Sequence, residues 1–295
     1  MSKKQIIALG FFDGVHLGHQ ALLASCRDLA RELGCDAAAV TFTTHPDALV
    51  FGKNPGLINT PEDRERLLKS YGMDRVIPLP FDEQMRSMPW RAFLTMLVRE
   101  HNAAGLVCGH DFRFGNRGEG NAELLEAACG EMGIPCAVVP EQKLDGITIS
   151  STRIRELIAT GRMEEALRFL GHRHILTGSV VPGRHLGHKL GFPTANVQLP
   201  DGIVYPKYGV YACRVGIGGV SRIAVTNVGS RPTVEGHQIR TESWVLDFEG
   251  DLYGREITLE FCAFLRPEQR FDSLEALTAA VLLDAEKTRQ YFENK

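Results

Sequence analysis

Between residues 5 and 140, short apolar runs alternate with amphipathic stretches, the pattern of β-α units that feed a parallel sheet. The runs IIALG (6–10), AAAVTF (37–42), RVIPLP (75–80), AGLVCG (104–109) and PCAVVP (135–140) predict strands. Between them, HQALLASCRDLARELG (19–34), PEDRERLLKSYG (61–72), PWRAFLTMLVREH (89–101) and NAELLEAACGEMG (121–133) carry helical spacing, and three of the four end at glycine. RELIATGRMEEALRFLG (155–171) reads as two short helices broken near Gly161. From about residue 174 the texture changes to short β-branched or aromatic runs, such as TGSVV, GVYACRV and EITLEFCAFL, separated by Gly, Pro and Asp turns. That spacing predicts an antiparallel barrel or sandwich. SLEALTAAVLLDAEKTRQYF (273–292) closes the pattern as one amphipathic helix.

Composition narrows the function class. A chain of 295 residues is long enough for two domains with separate cores. With 33 Lys+Arg against 36 Asp+Glu the surface carries no excess positive charge for a polyanion, so no nucleic-acid partner is expected. The seven cysteines are scattered and contain no C-x-x-C pair, which reads as reduced core thiols rather than disulfides or a zinc site. The apolar run 6–12, broken at Gly10, meets Asp13 well short of the roughly 18 residues a membrane span needs, with no cleavage site. The expected location is the cytoplasm, with no membrane partner.

The first candidate site is GFFDGVHLGH (10–19), where the first strand passes into the first helix. Open α/β sheets bind ligands at such a crevice, and a helix N-terminus offers unpaired N–H groups to a phosphate. Gly14 and Gly18 let backbone approach a ligand, and His16 and His19 stand three apart across the turn. The spacing is neither the dinucleotide G-x-G-x-x-G nor a G-x-x-x-x-G-K-[ST] loop. A metal site built from His16, His19, His45 and His110 is the alternative, although i, i+3 spacing in a Gly-rich turn lacks the helical i, i+4 geometry.

His16-Leu17-Gly18-His19 after a first strand resembles the H-x-G-H motif of the nucleotidyltransferase superfamily. With TFTTHP (41–46), GHDFRFG (109–115) and ISSTRIR (149–155) in that order, the first half resembles the FAD synthetase module of prokaryotic bifunctional riboflavin kinase/FAD synthetases. The resemblance implies that His16 and His19 stabilise the transferring phosphoryl group. Ser151, Thr152 and Arg155 would then hold the β and γ phosphates, with His45, Asp111 and Arg113 near the nucleotide. Ser150, Ser151 and Thr152 also read as helix caps, a role compatible with phosphate binding. The family's usual D-P-H-P is Thr43-Thr44-His45-Pro46 here.

In the β-rich half, GRHLGHKLGFPTAN (183–196) joins Gly183, Gly191 and Lys189 to Thr194 and Asn196. Glycines with cations suit phosphate, and Thr and Asn oxygens are hard ligands for Mg²⁺; alone, the run reads first as a decorated turn. It resembles the riboflavin kinase signature, followed in the family's order by PKYGVYACRV, TNVGSRPT, ESWVLDFEGDLYG and LRPEQRFDSLEAL. Glu242 matches the family's general base, against the plain reading of a surface strand carboxylate. His188 stands where Arg is common, and Trp244 where His is frequent.

The fold class expected is α/β plus β. A Rossmann-like open parallel sheet would occupy 1–160 as an FMN adenylyltransferase, and an antiparallel β-barrel with a C-terminal helix 173–295 as a riboflavin kinase. The expected substrates are ATP, riboflavin and FMN, with Mg²⁺. A non-catalytic flavin or nucleotide sensor, or a synthetase with a decayed kinase half, is the rival. An aminoacyl-tRNA synthetase would need a K-M-S-K-S-like loop and a basic anticodon-binding region, both missing from the sequence.

Overall fold

The computed structural model describes residues 3–52, 55–183, 191–233 and 236–294. The chain divides into two compact units, one of residues 1–57 and 61–151, the other of 58–60 and 152–295. The first is built on five parallel strands: β1 (Gln5–Leu9), β2 (Asp36–Phe42), β3 (Arg75–Leu79), β4 (Ala103–Gly109) and β5 (Cys136–Val139). Their order is β3-β2-β1-β4-β5, so the sheet reverses direction of growth between β1 and β4. Strands apolar on both faces suit a sheet covered on both sides. Ile7, Leu9, Ala38, Val40, Leu106 and Cys108 pack one way, with Phe93 and Leu97 of α5 (Trp90–Glu100) and Leu125 of α6 (Ala122–Met132). Ile6, Ala8, Ala37, Ala39 and Val107 pack the other way, against Leu22, Leu23 and Cys26 of α1 (Leu17–Leu33) and Leu68 of α3 (Pro61–Ser70).

Glycines stop the helices as the sequence predicts: Gly34 and Gly133 take left-handed φ of 64° and 68° after α1 and α6, donating back to the last carbonyls. The pattern did not foresee two short helices, α2 (Pro46–Phe51) and α4 (Glu83–Ser87), or the ribbon β6 (Lys143–Leu144) with β7 (Ile147–Thr148).

The second unit begins with α7 (Ser151–Ala159) from Thr152 onward and α8 (Met163–Leu170), separated at Gly161, whose φ is 79°. Six antiparallel strands then close a barrel: β8 (His174–Val181), β9 (Ala195–Gln198), β10 (Gly209–Ile217), β11 (Val220–Thr233), β12 (Gly236–Val245) and β13 (Glu256–Arg266). The ring runs β10-β11-β12-β9-β8-β13 and back to β10. Closure removes exposed edges, and Leu176, Val180, Val197, Tyr211, Cys213, Val215, Leu259 and Phe261 are buried. The last helix, α9 (Leu274–Glu293), is capped by Ser273, which accepts from the Ala276 N–H at 3.1 Å. It is tied to β13 by a forked ion pair of 2.7–3.0 Å between Arg266 and the buried Asp284. All seven cysteines are free, five of them buried.

Candidate active sites

The turn after β1 is strained. Phe12, Gly14 and Val15 have φ of 57°, 85° and 40°, and a β-branched residue at positive φ costs on the order of 1–3 kcal/mol. Complete burial of Phe12 and Val15 holds the turn in place. The turn delivers His16 to the N-cap of α1, where its Nδ1 accepts the backbone N–H of His19 at 3.3 Å. An accepting Nδ1 puts the ring proton on Nε2, making that atom the donor. The His16 and His19 rings stack with centroids 3.6 Å apart. Gly18 permits this, because a Cβ there would come within 3.2 Å of the His16 ring. Burial, then the neighbouring His16 and Arg64, hold the His19 imidazole well below its usual range, so His19 is neutral at physiological pH; its Nδ1 is buried without a hydrogen-bond partner.

A cleft of about 580 Å³ opens at the carboxyl ends of β1 and β4, where the strand order reverses. His16, Gly18, His19, Asp111, Arg113 and Ser151 all line it. The Ser151 hydroxyl donates to the Asp13 carbonyl at 2.9 Å, binding the ISST segment to the strained turn. The loop carrying Asp111 is wedged by aromatic contacts of Phe114 with Phe112, Phe93 and Trp90. His45 packs edge-on against Phe11 at 4.7 Å, and Pro46 beside it lines the cleft. Thr152 and Arg155 lie in α7 and group with the second unit.

Arg64 of α3 was not singled out from the sequence. Only 1% exposed, it donates to the Phe42 carbonyl at 2.6 Å and lies 4.4 Å from the Phe11 ring centroid, with Nε and Nη1 unpartnered. An arginine on an amphipathic helix reads as solvated, so its sequence carries no signal of this burial.

In the barrel, Thr194 and Asn196 line two cavities at once, one of about 590 Å³ and one of about 340 Å³. The larger is walled by Phe248, Leu252 and Tyr253, the smaller by Phe192, Trp244 and Phe271 together with Glu242. Antiparallel pairing sets Asn196 of β9 directly opposite Glu242 of β12. Arg240, on the same face of β12 as Glu242, makes an ion pair with Glu242 Oε1 and donates to Asn196 Oδ1 through Nη2 at 3.0 Å and Nε at 3.3 Å. A Cβ on Gly183 would fall 2.0 Å from Asn196 Nδ2, so only glycine leaves room for that amide. Gly191 has a different reason to be glycine: its φ is 85°, in the left-handed region that side chains disfavour. Lys189, Arg184 and His188 fall outside the described residues.

Comparison with known proteins accounts for both halves. Residues 1–153 match the FAD synthetase family model, and residues 170–292 match the riboflavin kinase model. A bifunctional riboflavin kinase/FMN adenylyltransferase of Pseudomonas fluorescens is 38% identical over 96% of this chain and 92% of its own. The Listeria monocytogenes protein of the same description is 32% identical over 98% and 92%. A crystal structure described as a macrolide-efflux protein from Streptococcus pneumoniae superposes with a TM-score of 0.89 at 32% identity, covering 98% of this chain and 95% of that one. Transport is said there of that protein; among the described residues of this chain no helix is long and apolar enough to cross a membrane. With two family models in tandem and relatives matched over nearly their whole length, this chain belongs to the bifunctional riboflavin kinase/FMN adenylyltransferase family.

Proposed function

We propose that the chain makes FMN from riboflavin and ATP in its barrel, and FAD and pyrophosphate from FMN and ATP at its parallel sheet. The observation that carries the kinase reading is that Thr194 and Asn196 line both barrel cavities while Glu242 opens into one of them. A nucleotide in the larger cavity and a flavin against Trp244, Phe192 and Phe271 in the smaller would meet at that junction. There the ribityl 5′-oxygen attacks the γ-phosphorus, its proton passes to the Glu242 carboxylate, and ADP leaves.

Thr194 and Asn196 supply neutral hard oxygens beside a carboxylate, and Gly183 leaves room for the amide, a donor set that fits Mg²⁺ arriving on nucleotide phosphates. Bound there, Mg²⁺ would neutralise phosphate charge. Gly191 and Lys189 are assigned to the same phosphate-binding run.

At the sheet, an FMN phosphate oxygen attacks the α-phosphorus of ATP and pyrophosphate departs, so no enzyme-bound covalent intermediate forms. The His16 Nε2–H and the neutral His19 act as donors to the transferring group. Gly14 and Gly18 shape the turn, Ser151, Thr152 and Arg155 take the β and γ phosphates, and Asp111, Arg113 and His45 lie toward the nucleotide. Incubation of the purified chain with riboflavin, ATP and Mg²⁺, followed by chromatography, should give FMN and then FAD, and neither without Mg²⁺. Formation of neither product with Mg²⁺ present would favour the sensor.

A further inference from the structure

The Asn196–Arg240–Glu242 triangle joins the group assigned to the metal and the group assigned to the base through one guanidinium. Arg240 Nη2 reaches Asn196 Oδ1 at 3.0 Å and also pairs with Glu242 Oε1, and all three side chains line the smaller barrel cavity. Two features of the fold enforce this. Residues 240 and 242 are two apart on one strand and share a face, and register sets Asn196 across from Glu242. The side chains of Arg240 and Glu242 are 33% and 28% exposed, so the cation is reachable from the cavity.

We propose that Arg240 is the resident cation of the phosphoryl-transfer centre, holding Asn196 Oδ1 and the Glu242 carboxylate until the metal-nucleotide arrives, and then turning to the transferring γ-phosphoryl group. The inference rests on the kinase reading of this cavity. A guanidinium and a divalent ion on the same amide oxygen repel, so arrival of the metal at Asn196 Oδ1 displaces Arg240. The γ-phosphoryl oxygens are then the acceptors at hand, and the planar fork of arginine matches phosphate in a way the point charge of lysine does not. The exchange frees a carboxylate oxygen of Glu242 only once the nucleotide is seated. Binding of the metal and exposure of the base are thereby linked.

The test uses the full chain carrying Trp90→Phe, so that Trp244 in the cavity wall is the remaining tryptophan reporter. Mg²⁺ is titrated against its emission at fixed β,γ-imido-ATP, and riboflavin phosphorylation is measured in parallel. Arg240→Met should lower the half-saturating Mg²⁺ concentration about three- to tenfold, because no resident cation has to be displaced, while kcat falls at least tenfold. Arg240→Lys should keep the parental Mg²⁺ midpoint but not the parental kcat. The far-UV circular dichroism and the thermal midpoint of the barrel report that the same variants remain folded, and Arg240→Gln replaces the Met variant if that one fails. An unchanged Mg²⁺ midpoint in the Met or Gln variant overturns the exchange, whatever happens to kcat. A kcat within twofold of the parent overturns the phosphoryl role. Should the parent itself make no FMN, it is the kinase reading that falls.

Discussion

At the scale of single residues, the two proposed centres should separate by product. His19→Ala removes a neutral donor from the strained turn, and loss of one preorganised donor to a phosphoryl transition state costs about 10² to 10³ in rate. FMN should therefore accumulate from riboflavin while FAD formation collapses. Glu242→Gln should do the reverse, lowering riboflavin phosphorylation by about 10² to 10⁴ while supplied FMN still becomes FAD. Rates followed by separating the flavins decide both, and a Glu242→Gln enzyme within twofold of the parent returns that residue to a plain strand carboxylate. The cleft and cavity positions assigned to His16, His19, Thr194, Asn196 and Glu242 stand out in sequence because each lies inside a contiguous motif. Arg240 and Arg64 do not, for different reasons. Strand alternation puts Arg240 beside Glu242, but its second partner, Asn196, lies 44 residues away and meets it only through β9–β12 pairing. Arg64 is a charge on a helix whose burial follows from where Phe11 and Phe42 come to rest.

At the scale of elements, the five parallel strands were readable because they are apolar on both faces and bounded by helices with glycine stops. Helices α2 and α4 and the β6–β7 ribbon escaped because two to six residues carry too little periodicity. The ring order of the barrel was equally hidden, since β8 pairs with β13, some eighty residues on, as well as with β9. Strand β8 also contains an element-scale liability. His174 is 2% exposed with neither ring nitrogen hydrogen-bonded, and burial, then His172, pushes its pKa down to about 3. The unfolded chain binds this proton near pH 6.5 and the folded one only near 3, so its contribution is intact above about pH 6.5 and is lost as pH falls toward 3. The limiting slope is about 1.4 kcal/mol per pH unit. Between pH 7 and pH 5 the parent should lose about 2 kcal/mol more stability than His174→Phe in urea unfolding; equal losses would show that this imidazole is not the responsible group.

At the scale of the whole molecule, the contact division between Ser151 and Thr152 precedes the change of texture near 174. Helix α8 packs on β8 and β13 and buries Met163, Ala166, Phe169 and Leu170, so the barrel's apolar cover begins before its first strand. A fragment starting at Thr152 should fold and convert riboflavin to FMN without making FAD, since it lacks the turn after β1 to which adenylyl transfer is assigned. One starting at Arg173 should melt lower, because it uncovers the face that α8 protects. Calorimetry and product chromatography on the two fragments check this, and equal melting temperatures would place the kinase boundary at the later position.

Closure of the barrel has a consequence for how this sequence can vary. A Cβ on Gly178 would lie 2.4 Å from the Gln198 carbonyl oxygen, and one on Gly209 would lie 2.4 Å from the Arg266 carbonyl oxygen. Both obstacles are backbone, which no rotamer change can move aside. These positions should tolerate replacement as poorly as a catalytic residue would, although neither has a side chain with which to touch a substrate. Intolerance to replacement in this barrel thus has two origins, chemistry and crowding, and only a screen that counts folded molecules separately from active ones will tell them apart.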